Sequence, residues 1–137
     1  MAVATESGYE VLEFDLEGKR YCVTLDTVDE IVTNDGAITE IPNTSPEVVG
    51  VMDLRGETTT IVDPRVSLGR KTGSRPKYVV VFESEDRPVG WLIQDVYQVT
   101  TVDGDHLDET VGEGAVNGVF KRDDEFSIWV DPDAINA

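Results

Sequence analysis

The sequence is poor in the residues that build catalytic and metal centres. It holds a single cysteine, Cys22, and a single histidine, His106. One cysteine excludes a disulfide framework and a cysteine-based metal site, and its place in a strand-like pattern predicts a small buried side chain. His106 has no second histidine or cysteine near it, so it is predicted to be a solvated loop residue. A zinc centre or a histidine-dependent triad is therefore not expected.

Long apolar runs and basic clusters are scarce as well. No apolar segment approaches the roughly 20 residues that span a membrane, and the chain does not start with a basic and apolar leader. Arg70, Lys71, Arg75 and Lys77 form the one basic run, which is too little for a nucleic-acid binder. These absences predict a soluble intracellular protein that neither inserts into a membrane nor binds nucleic acid.

Acidic residues, in contrast, are abundant and evenly distributed. The chain has 28 Asp and Glu against 11 Lys and Arg, for a net charge of −17. Acids scattered over every segment indicate a solvated surface that repels itself in dilute salt and is screened in concentrated salt. This pattern favours a cytoplasmic protein of a halophile. The alternative is an acidic decoy that mimics nucleic acid.

One acidic loop is the best candidate for a metal-dependent enzyme. Asp103, Asp105 and Asp108 could in principle bind a hard cation. The loop lacks the glycine and the glutamate that an EF-hand requires at fixed positions, and it is interpreted as surface. Gly112-Glu113-Gly114 does not lead from a strand into a long helix, so no phosphate or cofactor site is predicted. No catalytic residue and no cofactor are expected.

Alternating apolar and polar residues predict β-strands throughout the chain. Leu12, Phe14 and Leu16 alternate with acids, as in a strand with one wet face. The predicted hairpins lie at residues 12–25, 51–62, 78–93 and 116–130. A basic loop at residues 70–77 is the best candidate for a linker.

The two halves of the chain repeat each other. A shift of 68 positions takes Phe14 to Phe82 and Gly50-Val51 to Gly118-Val119, without a gap. Two copies of about five strands predict an all-β fold of two tandem five-stranded SH3-like barrels, packed as one unit with short helical turns. The expected domain covers 9–136, with subdomain 1 at about 9–69, the basic linker at 70–77 and subdomain 2 at about 78–136.

The turn at Arg55-Gly56 is where the repeat breaks. Core positions agree between the halves, whereas the counterparts of Arg55 and Gly56 are Asp123 and Asp124. The glycine permits a left-handed backbone, and the arginine offers a large cation to a carboxylate. We consider two interpretations, a partner contact and an ordinary surface arginine in a hairpin.

Trp91, Trp129, Tyr78 and Tyr97 also have two interpretations. The first is core packing. The second is that part of this aromatic set forms an exposed contact patch, since aromatic anchors are enriched in interfaces.

These motifs together resemble the CheW family of chemotaxis coupling proteins. The matching elements are Val28-x-Glu30-Ile31, Ile41-Pro42-Asn43-Thr44, Gly50-Val51-x-x-Leu54-Arg55-Gly56, Ile61-Val62-Asp63-x-Arg65, Val89-Gly90 and Asp95-Val96-x-x-Val99. The likeness runs from about Tyr9 to Ile135. It implies a non-enzymatic adaptor that binds the regulatory domain of the histidine kinase CheA and the cytoplasmic tip of chemoreceptors, recruited from the cytoplasm to membrane receptor arrays.

The resemblance also implies site residues. Its receptor-facing positions are Val28, Glu30, Gly50, Arg55 and Gly56, and its kinase-facing positions are Tyr78, Val80, Gly90 and Val96. A groove with Val28 on its floor would hold the apolar face of a receptor helix, with Arg55 at the rim.

Three residues depart from the family pattern, in which an asparagine, a proline and a leucine are usual. They are Asp53, Thr60 and Pro64. Asp53 is expected either to pair with Arg55 or to belong to the acidic surface. The rival function is a module with the same fold that regulates another signalling kinase or receptor type.

Overall fold

The computed structural model describes residues 4–5, 8–42, 44–84, 87–122 and 124–136, and it confirms the all-β class. The strands in these residues are β1 (Ala4–Thr5), β2 (Gly8–Leu16), β3 (Lys19–Thr24), β4 (Val28–Thr33), β5 (Val48–Leu54), β6 (Glu57–Val62), β7 (Tyr78–Phe82), β8 (Val89–Ile93), β9 (Asp95–Val102), β10 (Leu107–Asp108), β11 (Val116–Arg122) and β12 (Glu125–Val130). Two short helices, α1 (Pro64–Ser67) and α2 (Pro132–Asn136), follow β6 and β12.

The strands form two sheets. Sheet A has the order β1-β2-β3-β12-β11-β10, with β9 also paired to β2. Sheet B has the order β4-β7-β8-β6-β5. Within the described residues no backbone ladder joins the outer strands of either sheet, so the prediction of two closed barrels is corrected to two open sheets. In sheet B an ion pair between the side chains of Glu30 and Arg55 connects the two edges.

Neither sheet corresponds to one half of the sequence. Sheet A takes the hairpin β2–β3 from the first half and completes it with β9 to β12, whereas sheet B takes β7–β8 from the second half and completes it with β4 to β6. Two parallel pairs, β3 with β12 and β6 with β8, join the halves. The predicted division into subdomains 9–69 and 78–136 is therefore corrected: the hairpins are exchanged between the halves.

The strand boundaries follow the sequence repeat. β5 and β11 cover equivalent positions under the shift of 68, as do β6 and β12. Each of these hairpins runs into a helix that begins with proline, α1 at Pro64 and α2 at Pro132. A proline suits this position because the first helical N–H has no partner within the helix. Pro64, one of the departures from the family pattern, is thus accommodated locally.

The main core lies where apolar side chains of both sheets meet. Trp91 is fully buried there, with its ring centroid 4.6 Å from that of Phe82 and 6.4 Å from that of Phe14. Its indole N–H donates to Asn136 Oδ1 at 2.6 Å. Trp129 packs in a smaller cluster against Tyr9 and Phe120. Core packing is thus the correct interpretation for both tryptophans.

The basic loop at 70–77 is fixed to the β2–β3 turn through Glu17 and Arg65. The N–H of Ser74 donates to the Glu17 carboxylate at 2.7 Å, and Nη2 of Arg70 donates to the Glu17 carbonyl at 3.0 Å. Arg65 is buried, and its guanidinium donates to Asp63, Glu17 and the carbonyl of Ser74. The segment predicted to be a linker is therefore attached to the fold by several hydrogen bonds.

We expect Glu17 to make stability depend on pH. The backbone N–H of Ser74, followed by the side chains of Arg65 and Ser74, holds the pKa of Glu17 below its ordinary value. A depressed folded-state pKa adds stability that is present above the unfolded value of about 4.3 and is lost as pH falls through the folded value. Glu17→Gln should lower the urea midpoint at pH 7, and the difference in midpoint between this variant and the parent should narrow as pH falls below the unfolded value of about 4.3.

Glu40→Gln, at an exposed glutamate, is the control for removing one negative charge from an acidic surface. It should leave the urea midpoint at pH 7 close to that of the parent. If the difference in urea midpoint between Glu17→Gln and the parent stays constant from pH 7 to pH 3, the charge of Glu17 does not stabilise the fold.

Candidate functional site

The turn at Arg55 and Gly56 is a two-residue hairpin turn between β5 and β6. Leu54 pairs with Glu57 across it, and both central residues have positive φ, 54° at Arg55 and 83° at Gly56. Two positive φ values define a type I′ turn, whose twist matches that of the flanking strands. The arginine therefore occupies a backbone conformation that non-glycine residues adopt rarely.

Asp53 stabilises this turn. Its Oδ1 accepts a hydrogen bond from the backbone N–H of Gly56 at 2.8 Å. Asparagine offers the same acceptor, so the departure from the family pattern keeps this contact. The guanidinium of Arg55 instead pairs with Glu30. The expectation that Asp53 would pair with Arg55 is corrected.

The Glu30–Arg55 ion pair joins the two edges of sheet B. Glu30 lies on β4, and Arg55 lies on the turn that leaves β5, the strand at the opposite edge. The side chain of Arg55 is 80% exposed and that of Glu30 is 23% exposed. An exposed pair of this kind adds about 0–1 kcal/mol to stability. Its main consequence is positional, because it holds a solvent-accessible guanidinium over the end of the sheet.

A small cleft, here named the Arg55 cleft, lies beside this pair. It measures about 110 Å³, and it is lined by Asp29, Glu30, Leu54, Arg55, Glu57, Thr59, Val81, Phe82, Glu83, Ser84 and Pro88. Val28, predicted to be on its floor, packs half-buried against the main core opposite Phe82. The lining from the end of β7 was missed by the sequence reasoning, because these residues are distant in sequence from Arg55.

Gly50 is buried and has a steric reason to be glycine. A Cβ at this position would lie 2.1 Å from the carbonyl oxygen of Thr39. Thr39 and Val51 form a backbone bridge with N···O distances of 2.8 and 2.9 Å, which brings the 38–41 segment directly over β5. The equivalent Gly118 would place its Cβ 2.6 Å from the carbonyl oxygen of Asp108. Gly50 thus supports the fold near the turn, whereas Gly56 is exposed at its tip.

Two of the four residues predicted to face the kinase do not reach the surface. Val80 is fully buried, and a Cβ on Gly90 would lie 2.6 Å from Cγ1 of Val79. Both residues sit on β7 and β8, which have neighbouring strands on both sides in sheet B. Both residues are buried in this fold, and their assignment as kinase-facing positions stays a prediction. Tyr78 and Val96 are half-buried and pack against the main core.

An apolar groove on sheet A, here named the sheet A groove, is a stronger candidate for a contact surface. It measures about 580 Å³ and is lined by Gly18, Lys19, Arg20, Tyr97, Val111, Val119, Glu125, Phe126 and Ile128. Phe126 is 56% exposed and Tyr97 is 45% exposed. Arg20 stacks on the Tyr97 ring at 4.5 Å, and Lys121 lies 5.8 Å from the centroid of Phe126. The groove thus combines aromatic surface with the basic residues Lys19 and Arg20, of which Arg20 is paired with Glu13 and Glu125.

The acidic loop shows no metal-binding arrangement. Asp103 accepts a hydrogen bond from the N–H of Asp105 at 2.9 Å, so it caps a turn. Hydrogen bonds from the hydroxyl and then the N–H of Thr110 hold the pKa of Asp108 below its ordinary value. Within the part of the chain that the structure describes, no three His, Cys, Asp or Glu side chains are grouped to hold a metal ion.

Asp123, the counterpart of Arg55 in the second half, lies outside the described residues, as does Asn43 of the family motif. Asp124 is exposed, with φ at 66°.

A membrane-spanning helix is not found among the described residues, where every helix is too short.

Comparison with known proteins gives a consistent family assignment. A family model described as the CheW-like domain matches residues 10–137. The chain is 28% identical over 131 residues to the chemotaxis protein CheW of Bacillus subtilis strain 168, covering 90% of this chain and 77% of that protein. It is 29% identical over 133 residues to the chemotaxis protein CheW of Thermotoga maritima, covering 93% and 87% respectively.

A solved structure supports the fold. The scaffolding protein TtCheW from Thermoanaerobacter tengcongensis superimposes with a TM-score of 0.80 over 90% of this chain and 88% of that one, at 24% sequence identity. At this identity the likeness concerns the architecture of the chain.

Proposed function

Because this chain belongs to the CheW-like domain family, we propose that it is a non-enzymatic chemotaxis adaptor that couples chemoreceptors to the histidine kinase CheA. The observation that carries the proposal is the exposed guanidinium of Arg55, fixed by Glu30 beside the Arg55 cleft. An adaptor needs two separate contact surfaces, and the Arg55 cleft on sheet B and the sheet A groove supply them. In this proposal the protein works on the cytoplasmic side of membrane receptor arrays.

The Arg55 cleft is proposed as the receptor surface. The receptor tip is a helical hairpin, and an amphipathic helix can rest its apolar face near the half-buried Leu54 and Pro88 while Arg55 meets a carboxylate or the last carbonyls of a helix. Glu30 positions Arg55, and Gly56 keeps the tip of the turn small. Val28 and Gly50 contribute by supporting β4 and β5 from within.

The sheet A groove is proposed as the kinase surface. Phe126 and Tyr97 present aromatic area of the kind that dominates protein interfaces. Lys19 adds an exposed cation at the rim, whereas Arg20 is paired with Glu13 and Glu125. Val96, on the same strand as Tyr97, would support this surface from the core side.

We expect Arg55→Asp to weaken receptor binding by about tenfold or more, because it replaces a positioned cation with an anion beside Glu30 and Glu57. Aspartate tolerates the left-handed backbone of the turn, so the fold should persist. The measurement is calorimetric titration with a receptor-tip fragment in molar salt, with circular dichroism as a folding check. Arg75→Asp, at an exposed arginine of the basic loop, is the charge-matched control. Receptor binding unchanged by Arg55→Asp would remove Arg55 from the receptor surface.

We expect Phe126→Asp to weaken kinase binding by about tenfold or more and to leave receptor binding unchanged, since it places a charge in the sheet A groove. The two variants control for each other, because each is predicted to lose one partner and keep the other. Loss of both partners in either variant would contradict two separate surfaces. If neither partner binds the parent protein and a pull-down recovers another kinase or receptor, the rival signalling function is supported.

A further inference from the structure

Each sheet depends on backbone pairing between the two halves of the chain. In sheet A, Tyr21 and Cys22 of β3 pair in parallel with Ile128 and Trp129 of β12. In sheet B, Thr60, Ile61 and Val62 of β6 pair in parallel with Val89, Gly90 and Trp91 of β8. A half taken alone therefore leaves an unpaired edge on its own hairpin and another on its remaining strands.

The core is shared in the same way. Leu12 and Phe14 come from the first half, whereas Trp91, Ile93 and Val130 come from the second. All five are fully buried in one cluster. Without the second half, the first would expose this surface and keep β1, β2 and β3 of sheet A. The two-residue β1 adds little to the β2–β3 hairpin, which is marginally stable at best in water. In the second half, the β7–β8 hairpin would lose its neighbouring strands β4 and β6, so it too would be left as an isolated hairpin.

The covalent connection between the halves is short and lies outside the sheets. Lys71, Thr72 and Gly73 are exposed and belong to no strand or helix. Ser74, directly after them, is bonded to Glu17 and Arg65 of the first half. A cut between Thr72 and Gly73 would place these partners on different pieces and leave their hydrogen bonds to join the pieces.

We infer that residues 1–72 and 73–137 are obligate complements: each half binds the other, neither folds alone, and the bound pair forms the native fold without a covalent link. The partner of each half is thus the other half of the same chain. The Arg55 cleft also needs both halves, because Glu30 and Arg55 come from the first half whereas Phe82 and Glu83 come from the second. The inference concerns assembly and does not rest on the proposed function.

The test is a full chain that carries a specific protease site in place of Thr72-Gly73 and is cut after folding. The cut protein should elute as one species with both pieces in equal amounts and with the circular dichroism of the uncut chain. In urea, loss of β-structure and separation of the pieces should coincide. Each tenfold dilution should lower the apparent free energy of unfolding by about 1.4 kcal/mol, whereas the uncut chain should show no such dependence.

Three results would overturn the inference. The first is that the pieces separate in urea while each keeps a cooperative β-sheet signal, since each half would then fold alone. The second is that the pieces fall apart and unfold on cutting, since the halves would then require the covalent link. The third is that the cut chain unfolds independently of concentration. The uncut chain with the same site controls for the effect of the inserted sequence.

Discussion

Arg65→Met is expected to lower the free energy of unfolding by about 3 kcal/mol or more, because it removes the cation from a buried set of ionic hydrogen bonds. Nε and Nη2 of Arg65 donate to the two carboxylate oxygens of Asp63 at 2.9 and 2.8 Å, and Nη1 donates to the Ser74 carbonyl at 2.7 Å. Arg65 also pairs with Glu17, and the side chains of Arg65, Asp63 and Glu17 are all largely buried. Methionine would fill the space and leave the Asp63 carboxylate without its counter-charge.

The measurement for Arg65→Met is urea unfolding at pH 7. A lower midpoint with an unchanged slope reports the loss of stability. Arg70→Met is the matched control, because Arg70 is half-buried and its guanidinium donates to a neutral acceptor, the Glu17 carbonyl, at 3.0 Å. It should cost less than about 1 kcal/mol. The loss of stability in Arg65→Lys should be intermediate, since lysine keeps the positive charge and cannot make the bidentate contact with Asp63. Equal losses of stability in Arg65→Met and Arg70→Met would show that the buried ionic hydrogen bonds of Arg65 stabilise the fold no more than the half-buried bond of Arg70 does.

Gly50→Val should cost about 2 kcal/mol of stability and release the 38–41 segment from β5. The new Cβ would collide with the Thr39 carbonyl at 2.1 Å, which is a backbone atom and cannot move by side-chain rotation. The Thr39–Val51 bridge would have to break or shift, so the N–H of Val51 should lose protection in hydrogen exchange. Thermal or urea unfolding and exchange of Val51 are the two measurements.

Gly104→Ala is the control for replacing a glycine. Gly104 is exposed, its nearest prospective contact is Tyr9 at 3.8 Å, and its φ is not in the left-handed region. The change should be nearly neutral. If Gly50→Val were also neutral, the close approach of Thr39 would not explain the glycine, and the surface role first predicted for Gly50 would regain support.

Local patterns in the sequence were sufficient to predict the hairpins. The alternation around Leu12 and Phe14 gave β2, and the short turn at Arg55-Gly56 gave the β5–β6 hairpin, because strand period and turn chemistry are local properties. For Trp91 the sequence left core packing and an exposed patch open, and the structure buries the side chain completely. The repeat located equivalent elements, and the structure places β5 and β11, and β6 and β12, at the predicted shift.

The candidate site was predicted only in part. The sequence singled out Arg55, but its partner Glu30 is 25 positions away, and no local pattern joins the two. For Asp53 the sequence left open a pairing with Arg55 and a place in the acidic surface, whereas its carboxylate accepts from the Gly56 N–H within the turn. Val80 was assigned to a contact surface, although it is fully buried in a strand with neighbours on both sides.

By itself, then, the sequence determined the class of fold, the strand pairs joined by short turns, the internal repeat and the unusual arginine, since these depend on neighbouring residues. The tertiary structure alone decided which hairpin joins which sheet. Two equivalent halves offer equivalent partners, and the alternation within a strand is the same whichever half it pairs with. The exchange of β2–β3 and β7–β8 was settled by burial of one shared core around Phe14 and Trp91, and it brought the residues of the Arg55 cleft together from both halves.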